Sequence, residues 1–447
     1  MTLQPLVSHV SNDSLIAWRA DGAVTRQRFI SEIHQLAALF PASGHLLNLC
    51  RDRYQFSVGL AAAVVTGRIS LLPSNHTPET LRQIKAFAPD TFCLVDHDQS
   101  TVDMPVVRYP QMVDTRSDDL FVPQIDADQL AAIVFTSGTT GAPQPHPKTW
   151  GALICSVHVE ATRLGLLNKT GCTIVGTVPP QHMYGFESTI LLPWHSHSAF
   201  SHAQPFYPAD ICQALAAVPS PRILVSSPMH LRALMDSGLT LPKIETVVSA
   251  TAPLSTPLAQ IIEQRCDAQL IEIYGSTETG QIASRRPTHQ SEWNLFPGIR
   301  LSTDGENVQA YGGHIGRPTI LNDVIEPVAD EHFLFHGRKS DLVNIAGKRH
   351  SLASLNHLLT SISGVVDGAF FVPDDVSPDS VTRLVACVVA PELDSSMLMA
   401  ALRERIDPVF LPRPLLFVEA LPRNCTGKLP REALQSLVQS RCAQKSA

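Results

Sequence analysis

Eight short apolar runs recur between His45 and Gly275, and helix-length stretches separate several of them. The runs are "HLLNLC", "RISLLP", "TFCLVD", "AAIVF", "TIVGTV", "RILVSS", "ETVVSA" and "QLIEIYG"; among the stretches between them are "PETLRQIKAFA" and "DICQALAAV". A strand read as near-continuous Val, Ile and Leu is buried on both faces, and its alternation with helices is the pattern of a covered parallel sheet. From about Arg300 the character changes: "RLSTDGENVQAYGGHIGRP" reads as turn-rich β-structure and "HFLFHGRKSDLVNIAG" as a hairpin. Helical patterns at "SLASLNHLL" and "SSMLMAALRERI" then alternate with strands such as "VTRLVACVVA". The expected fold class is α/β. A large N-terminal body with parallel sheets and a β subdomain spans 1–338, and a small α+β domain spans 339–447, with the boundary near Arg338 to Asp341.

A length of 447 residues suits two or three domains. The formal net charge of −7 argues against a nucleic-acid partner held by general electrostatics. Nine cysteines stand singly with no C-x-x-C pair, which suggests neither a zinc site nor a disulfide framework. The most apolar window, "VGLAAAVVTG" from Val58, is about half the length that spans a bilayer. "MTLQPLVSHVSNDS" lacks the basic-then-apolar order of a signal peptide. A soluble cytoplasmic protein with no membrane span is expected.

One apolar run ends abruptly in small polar residues: "VFTSGTTG", Val134 to Gly141. Such an ending is either a polar turn or an anion cradle, in which glycines let backbone N–H groups approach a phosphate and hydroxyls add donors. A second run, "EIYGSTETG" (Glu272 to Gly280), ends the same way with an acid at Glu278. Further along come "NDVIEPVADEHFLFHGRKSD" with Asp323 and Arg338, then "VNIAGKRHS", and "LPRNCTGKLPREAL" with Lys428.

In this order and at these distances the five motifs resemble the adenylate-forming superfamily of acyl-CoA synthetases, peptide-synthetase adenylation domains and luciferases. The resemblance covers nearly the whole chain, with an N-terminal region shorter than is typical. It implies an enzyme that uses ATP and Mg²⁺ to activate a carboxylic acid as an acyl-adenylate and then passes the acyl group to a thiol. A carboxylate alone is a poor acyl donor because its leaving group would be an oxide. Catalysis of adenylation is mostly positioning plus neutralisation of charge on phosphorus.

By the resemblance, Thr136, Ser137, Gly138, Thr139, Thr140 and Gly141 form the loop around the β- and γ-phosphates. Gln144 stands where the family usually has a loop lysine, and Lys148 is either its substitute or a solvated surface lysine. Tyr274 would stack adenine, with Gly275 beside it in both the nucleotide and acyl sites. Thr277 would bond phosphate and Glu278 hold the metal. Thr251 and Ala252, in "SATAP", would line the adenine and acyl sites. Asp323 would accept the ribose hydroxyls, in "LND" rather than the usual "TGD", and Arg338 would be the second nucleotide clamp. Lys428 would bridge the α-phosphate and the attacking carboxylate. The small domain would pivot at Ser340, where Asp or Lys is usual, and bring Gly347 and Arg349 to the thiol channel.

"PPQHMYGFES" resembles the acyl-pocket motif that carries a gate histidine, here His182. Tyr184 and Ser188 sit at the offsets that receive a phenolic ring in hydroxycinnamate-CoA ligases. Thr251 and Ile273 replace smaller residues and shorten the cavity, which points to a compact aromatic acid such as a hydroxybenzoate. The compact length and "PQPHPKTW" resemble the AMP-ligases of aryl-polyene and related pigment clusters. That likeness implies phosphopantetheine on an acyl carrier protein as the acceptor, with free CoA as the alternative. A ligase-inactive adenylate-binding protein and an oxidative enzyme of luciferase type are the readings from other classes.

Overall fold

The computed structural model describes residues 2–98, 102–113, 121–137, 143–169, 171–305, 307–338, 342–345, 348–373, 384–424 and 427–446. All eight apolar runs are strands, and each lies in a parallel part of a sheet. The first sheet runs Pro143–Thr149, Leu130–Ser137, Ser70–Leu72, Leu46–Asn48, Phe92–Val95, Val106–Arg108, and only its first strand is antiparallel to its neighbour. The second sheet has eleven strands. Its parallel block is Gln269–Ser276, Thr246–Ser249, Arg222–Ser226, Thr173–Gly176, Ala199–Ser201 and Leu15–Arg19. Antiparallel strands Gly280–Arg285, Trp293–Leu295, His332–Arg338 and Asp323–Ala329 extend it.

Local chemistry sets the helix starts. Proline stands in the first turn of Pro78–Phe87, Pro208–Ala216, Pro228–Asp236 and Thr256–Cys266, where its missing N–H costs no hydrogen bond. Asp52 caps Arg53–Val65 through Gln55 N at 3.0 Å. That helix carries the most apolar window of the chain, and it is a buried core helix. Among the described residues no helix is long and apolar enough to cross a membrane.

The turn-rich segment after Arg300 is a three-stranded antiparallel sheet, Ile299–Asp304, Asn307–Gly312 and Ile315–Ile320. The hairpin expected across "HFLFHGRKSDLVNIAG" is not formed. His332–Arg338 pairs backwards with Asp323–Ala329, because the tight turn is at Asp330 and Glu331. Leu342–Ile345 pairs forwards with Lys348–Ser351 in a separate sheet. Beyond it, Asp367–Phe371, Val385–Val389 and Leu415–Phe417 form a three-stranded sheet. Two apolar clusters there draw only on residues from Val343 onward, so this region has cores of its own.

Two polar knots lie inside the large body. Arg53 is fully buried, and its guanidinium donates to Thr189 Oγ1 and to the carbonyls of Gly176 (2.9 Å) and Val178 (3.1 Å). It thereby joins the helix after the first sheet to the strand ends of the second. The other knot is acidic. Glu160, on helix Trp150–Arg163, accepts Ser188 Oγ–H at 2.7 Å and Gln281 Nε2–H at 2.9 Å. Glu187 accepts Ser156 Oγ–H at 2.7 Å. Glu187 and Ser188 sit in a π-helical turn, Glu187–Leu191, a distortion that recurs at functional sites. Burial pushes the Glu160 carboxyl up to about 8 and that of Glu187 to about 7.

This raised acidity constant has a sign that can be tested. Glu160 keeps its proton in the folded chain to about pH 8, whereas the unfolded chain releases it near 4.5. The stability it contributes is complete below pH 4.5 and is lost as pH rises towards 8, by up to ~1.4 kcal/mol per pH unit. Glu160→Gln holds a neutral isostere, so urea midpoints at pH 5 and pH 8 should fall less between the two than in the unaltered chain. An identical fall in both proteins would show that Glu160 ionises normally.

Candidate active site

The loops expected to carry chemistry leave the carboxyl ends of parallel strands and meet in the crevice between the two sheets. Strand Leu130–Ser137 ends at Thr136 and Ser137, strand Gln269–Ser276 runs into Thr277 and Glu278, and strand Thr246–Ser249 leads to Thr251 and Ala252. The meeting is direct. Thr136 Oγ1 lies 3.0 Å from His146 Nε2, which lies 3.9 Å from a carboxylate oxygen of Glu278. Lys148 Nζ donates to the Glu278 carbonyl at 3.2 Å.

Tyr274 stands in an aromatic box of Trp293, Phe333 and Phe335, with ring centroids 5.5, 5.5 and 5.7 Å away. Its hydroxyl donates to Asp323 Oδ2 at 2.5 Å. Asp323 is the direct cross-strand partner of Arg338, so the two expected nucleotide clamps share one rung of the sheet. A bulge follows Tyr274, and Gly275 is required there because a Cβ would lie 2.3 Å from the Gly280 carbonyl oxygen. Thr251 adopts φ of 81°, a costly conformation for a β-branched residue and one that clusters at ligand sites. Glu272 steadies that loop by accepting Leu254 N–H at 2.8 Å.

His182 precedes the short helix Met183–Phe186, and its Nε2 is buried without a hydrogen-bond partner. Gly185 lets that helix close on the preceding loop, since a Cβ would sit 2.0 Å from the Pro179 carbonyl oxygen. Burial, with the charges of Lys428 and His76, lowers the His182 pKa to about 4. Lys428, distant in sequence, thus lies within electrostatic range of His182. Its neighbour Gly427, at φ of 79°, packs where a Cβ would be 3.0 Å from Met229 Cβ, at the end of strand Arg222–Ser226.

Two expected ring contacts are committed elsewhere. Tyr184 donates its hydroxyl to the Val248 carbonyl at 3.0 Å, and Ser188 donates to Glu160. The offset of four residues does place both on one helical face, but a buried carboxylate on the neighbouring helix takes the serine. Ile273 is buried in the same apolar cluster that Tyr184 packs against. Sequence reasoning missed Gln281, whose amide oxygen is buried without a partner, as well as Glu160, Glu187, His76 and His314. Only Gln281 had a signal, its place just after the "STETG" motif. Gly138, Thr139, Thr140, Gly141, Ser340 and Gly347 lie outside the described residues, as do the side chains of Ser137, Arg338 and Arg349.

Among the described residues no three His, Cys, Asp or Glu side chains gather into a metal cage. Mg²⁺ keeps several waters and is held through one or two carboxylates together with substrate phosphates, so a single well-placed carboxylate fits it. The Glu278 side chain, 34% exposed and facing Thr136 and His146, is the donor offered. The boxed Tyr274 and its hydrogen bond to Asp323 suit a nucleoside.

The chain matches the AMP-binding enzyme family over residues 51–331. Among curated proteins, a 4-coumarate–CoA ligase of Rhodobacter capsulatus is 28% identical over 68% of this chain and 75% of its own. A 2-succinylbenzoate–CoA ligase of Listeria monocytogenes is 27% identical over 69% of this chain and 70% of its own. Among solved structures, the anthranilate CoA ligase AuaEII in complex with anthranoyl-AMP superposes with a TM-score of 0.81 at 16% identity, covering 100% of this chain and 98% of that one. The O-succinylbenzoate coenzyme A synthetase of Bacillus subtilis, in complex with AMP, gives 0.80 at 17% identity, over 97% and 98%. Ordered motifs, crevice geometry and family match agree: the chain belongs to the AMP-binding enzymes of the adenylate-forming superfamily, and is an ATP-dependent, AMP-forming acid–thiol ligase.

Proposed function

We propose that the chain activates a small aromatic acid bearing a hydrogen-bond donor, such as a hydroxybenzoate, and transfers it to a phosphopantetheine thiol. The observation that supports this reading is that Lys428, distant in sequence, lies within electrostatic range of His182, while Glu278 stands on a turn that Lys148 holds. ATP supplies the electrophilic phosphorus and Mg²⁺ charge neutralisation. Lys428 brings a cation to the carboxylate and the α-phosphate, while Thr277 and the Thr136–Gly141 loop contribute hydroxyl and backbone donors. Tyr274, Asp323 and Arg338 hold the nucleoside. His182, kept neutral by burial, gates the acyl side without adding a second positive charge. The proposed division is 1–338 and 339–447, with Ser340 as pivot and Gly347 and Arg349 facing the thiol arm.

Lys428→Ala should lower acid-dependent pyrophosphate exchange by about a hundredfold or more, the scale of losing a preorganised charge stabiliser. Thiol transfer from preformed acyl-adenylate should change far less. Intact exchange in the variant would remove Lys428 from the reaction.

The acid proposal draws on Thr251 and Ile273, which stand where smaller residues are usual, and on the Gln281 amide oxygen, a buried acceptor without a partner. An acid panel should rank hydroxy- and aminobenzoates above benzoate, and benzoate above chains of ten or more carbons. Gln281→Leu should abolish the preference for the ring donor while keeping benzoate activity, because a buried acceptor left unpaired is what penalises the plain ring. Strong activity on palmitate with none on benzoates would overturn the aromatic reading.

CoA and a carrier protein present the same thiol arm. The relatives named above are CoA ligases, which supports free CoA, whereas the resemblance to pigment-cluster ligases supports a carrier. We take the carrier as acceptor, so a holo-carrier from the same organism should outcompete CoA in thioester formation. Efficient transfer to CoA and none to any such carrier would reverse the choice.

A further inference from the structure

The turn that presents Glu278 is held from outside the motif that encodes it. Within the turn, Ser276 N–H donates to Thr279 Oγ1 at 3.3 Å and Thr279 N–H to Ser276 Oγ at 3.2 Å. These bonds tighten the turn and leave its two successive carbonyls, of Glu278 and Thr279, facing outwards. Two cationic or polar side chains from other elements take them. Lys148 Nζ, from strand Pro143–Thr149, donates to the Glu278 carbonyl at 3.2 Å. His314, between strands Asn307–Gly312 and Ile315–Ile320, donates Nε2–H to the Thr279 carbonyl at 3.0 Å.

Lys148 is itself held in place. It lines a cavity of ≈ 300 Å³ together with Glu187, Glu278, His314 and Arg317. Glu187, fully buried, and Glu278 both line that cavity beside Lys148. Gly280 completes the packing: a Cβ there would lie 3.0 Å from Glu187 Oε1 and 3.3 Å from His314 Nε2. A solvated surface lysine has no such set of partners. Lys148 also does not share the strand position of Gln144, where the family usually has a lysine. Its backbone pairs with Ala132 while Gln144 pairs with Thr136, a separation of about 13 Å along the strand.

We propose that Lys148 and His314 are positioning residues that splint the Thr277–Gly280 turn, so that the Glu278 carboxylate stands ready for the metal. The inference rests on the reading of Glu278 as the Mg²⁺ ligand. Partners one step behind a metal ligand typically change metal affinity by about 10- to 100-fold when removed. Calorimetric binding of α,β-methylene-ATP, with Mn²⁺ and separately with EDTA, isolates the metal's share as the ratio of the two Kd values. Lys148→Met should shrink this ratio on the order of tenfold while leaving the EDTA value unchanged. Lys148→Arg, which keeps a donor and a charge, should restore most of it. His314→Ala should act in the same direction and carries the test alone if Lys148→Met does not fold. A role confined to stability would weaken both Kd values alike, and an unchanged ratio in folded Lys148→Met and His314→Ala would overturn the proposal. No metal dependence in the unaltered chain, with α,β-methylene-ATP still bound, would instead remove Glu278 as the ligand.

Discussion

Parallel strands end on a common edge, and much of this site hangs from such edges. In a covered parallel sheet the crossovers bury both faces, so only the loops beyond the carboxyl ends are open to a ligand. Thr136, Thr251, Thr277, Glu278 and His182 all follow strands of this kind. His76 follows Ser70–Leu72, and the Met229 surface under Gly427 follows Arg222–Ser226. One sheet alone would offer a row of loops. Two sheets with their edges turned to a shared crevice offer a site, and the Thr136–His146–Glu278 contact is where the two edges touch.

Holding two sheets in that relation places charge where water does not reach. Arg53 is buried without a carboxylate against its guanidinium among the described hydrogen bonds; three acceptors of the second sheet's loops and helix satisfy it instead. Desolvation lowers its pKa to about 9, still far enough above neutrality to keep the charge. Glu160 and Glu187 take the opposite course and move towards the neutral form. A buried carboxyl is tolerable when its oxygens are hydrogen-bonded, and Ser156, Ser188 and Gln281 do this. The same knot lies against the back of the Glu278 turn. Packing in the core and geometry at the metal ligand are therefore one problem.

The sequence was most legible where the physics is local. Eight apolar runs announced eight parallel strands because burial on both faces leaves little choice of residue. The order of the motifs was legible too, and the family match over residues 51–331 agrees with it. What failed was what depends on tertiary partners. The expected hairpin at "HFLFHGRKSDLVNIAG" misjudged which turn closes, a decision taken by pairing with Asp323–Ala329. Ser188 looked like a ring contact until Glu160, 28 residues earlier, claimed its hydroxyl. Lys148 was ambiguous because its partners Glu187 and the Glu278 carbonyl come from distant segments.

The placement of Lys428 shows why the small domain needs cores of its own. A reaction in two steps gains from a cation that is present for the first and absent for the second, because the thiol arm must reach the same carbon. If Lys428 were rooted in the large body, withdrawing it would mean opening apolar packing that stabilises the fold. Here the clusters around Leu355 and Phe371 are complete without any described residue before Val343. The lysine's loop is shaped locally instead: Asn424 Oδ1 accepts Lys428 N–H at 2.9 Å, and Asn424 N–H donates to the Lys428 carbonyl at 2.8 Å. Gly427, lacking a side chain, lets this preformed loop rest on Met229 at close range without interlocking. The contact brings Lys428 within electrostatic range of His182, while the apolar clusters on the small-domain side stay whole by themselves.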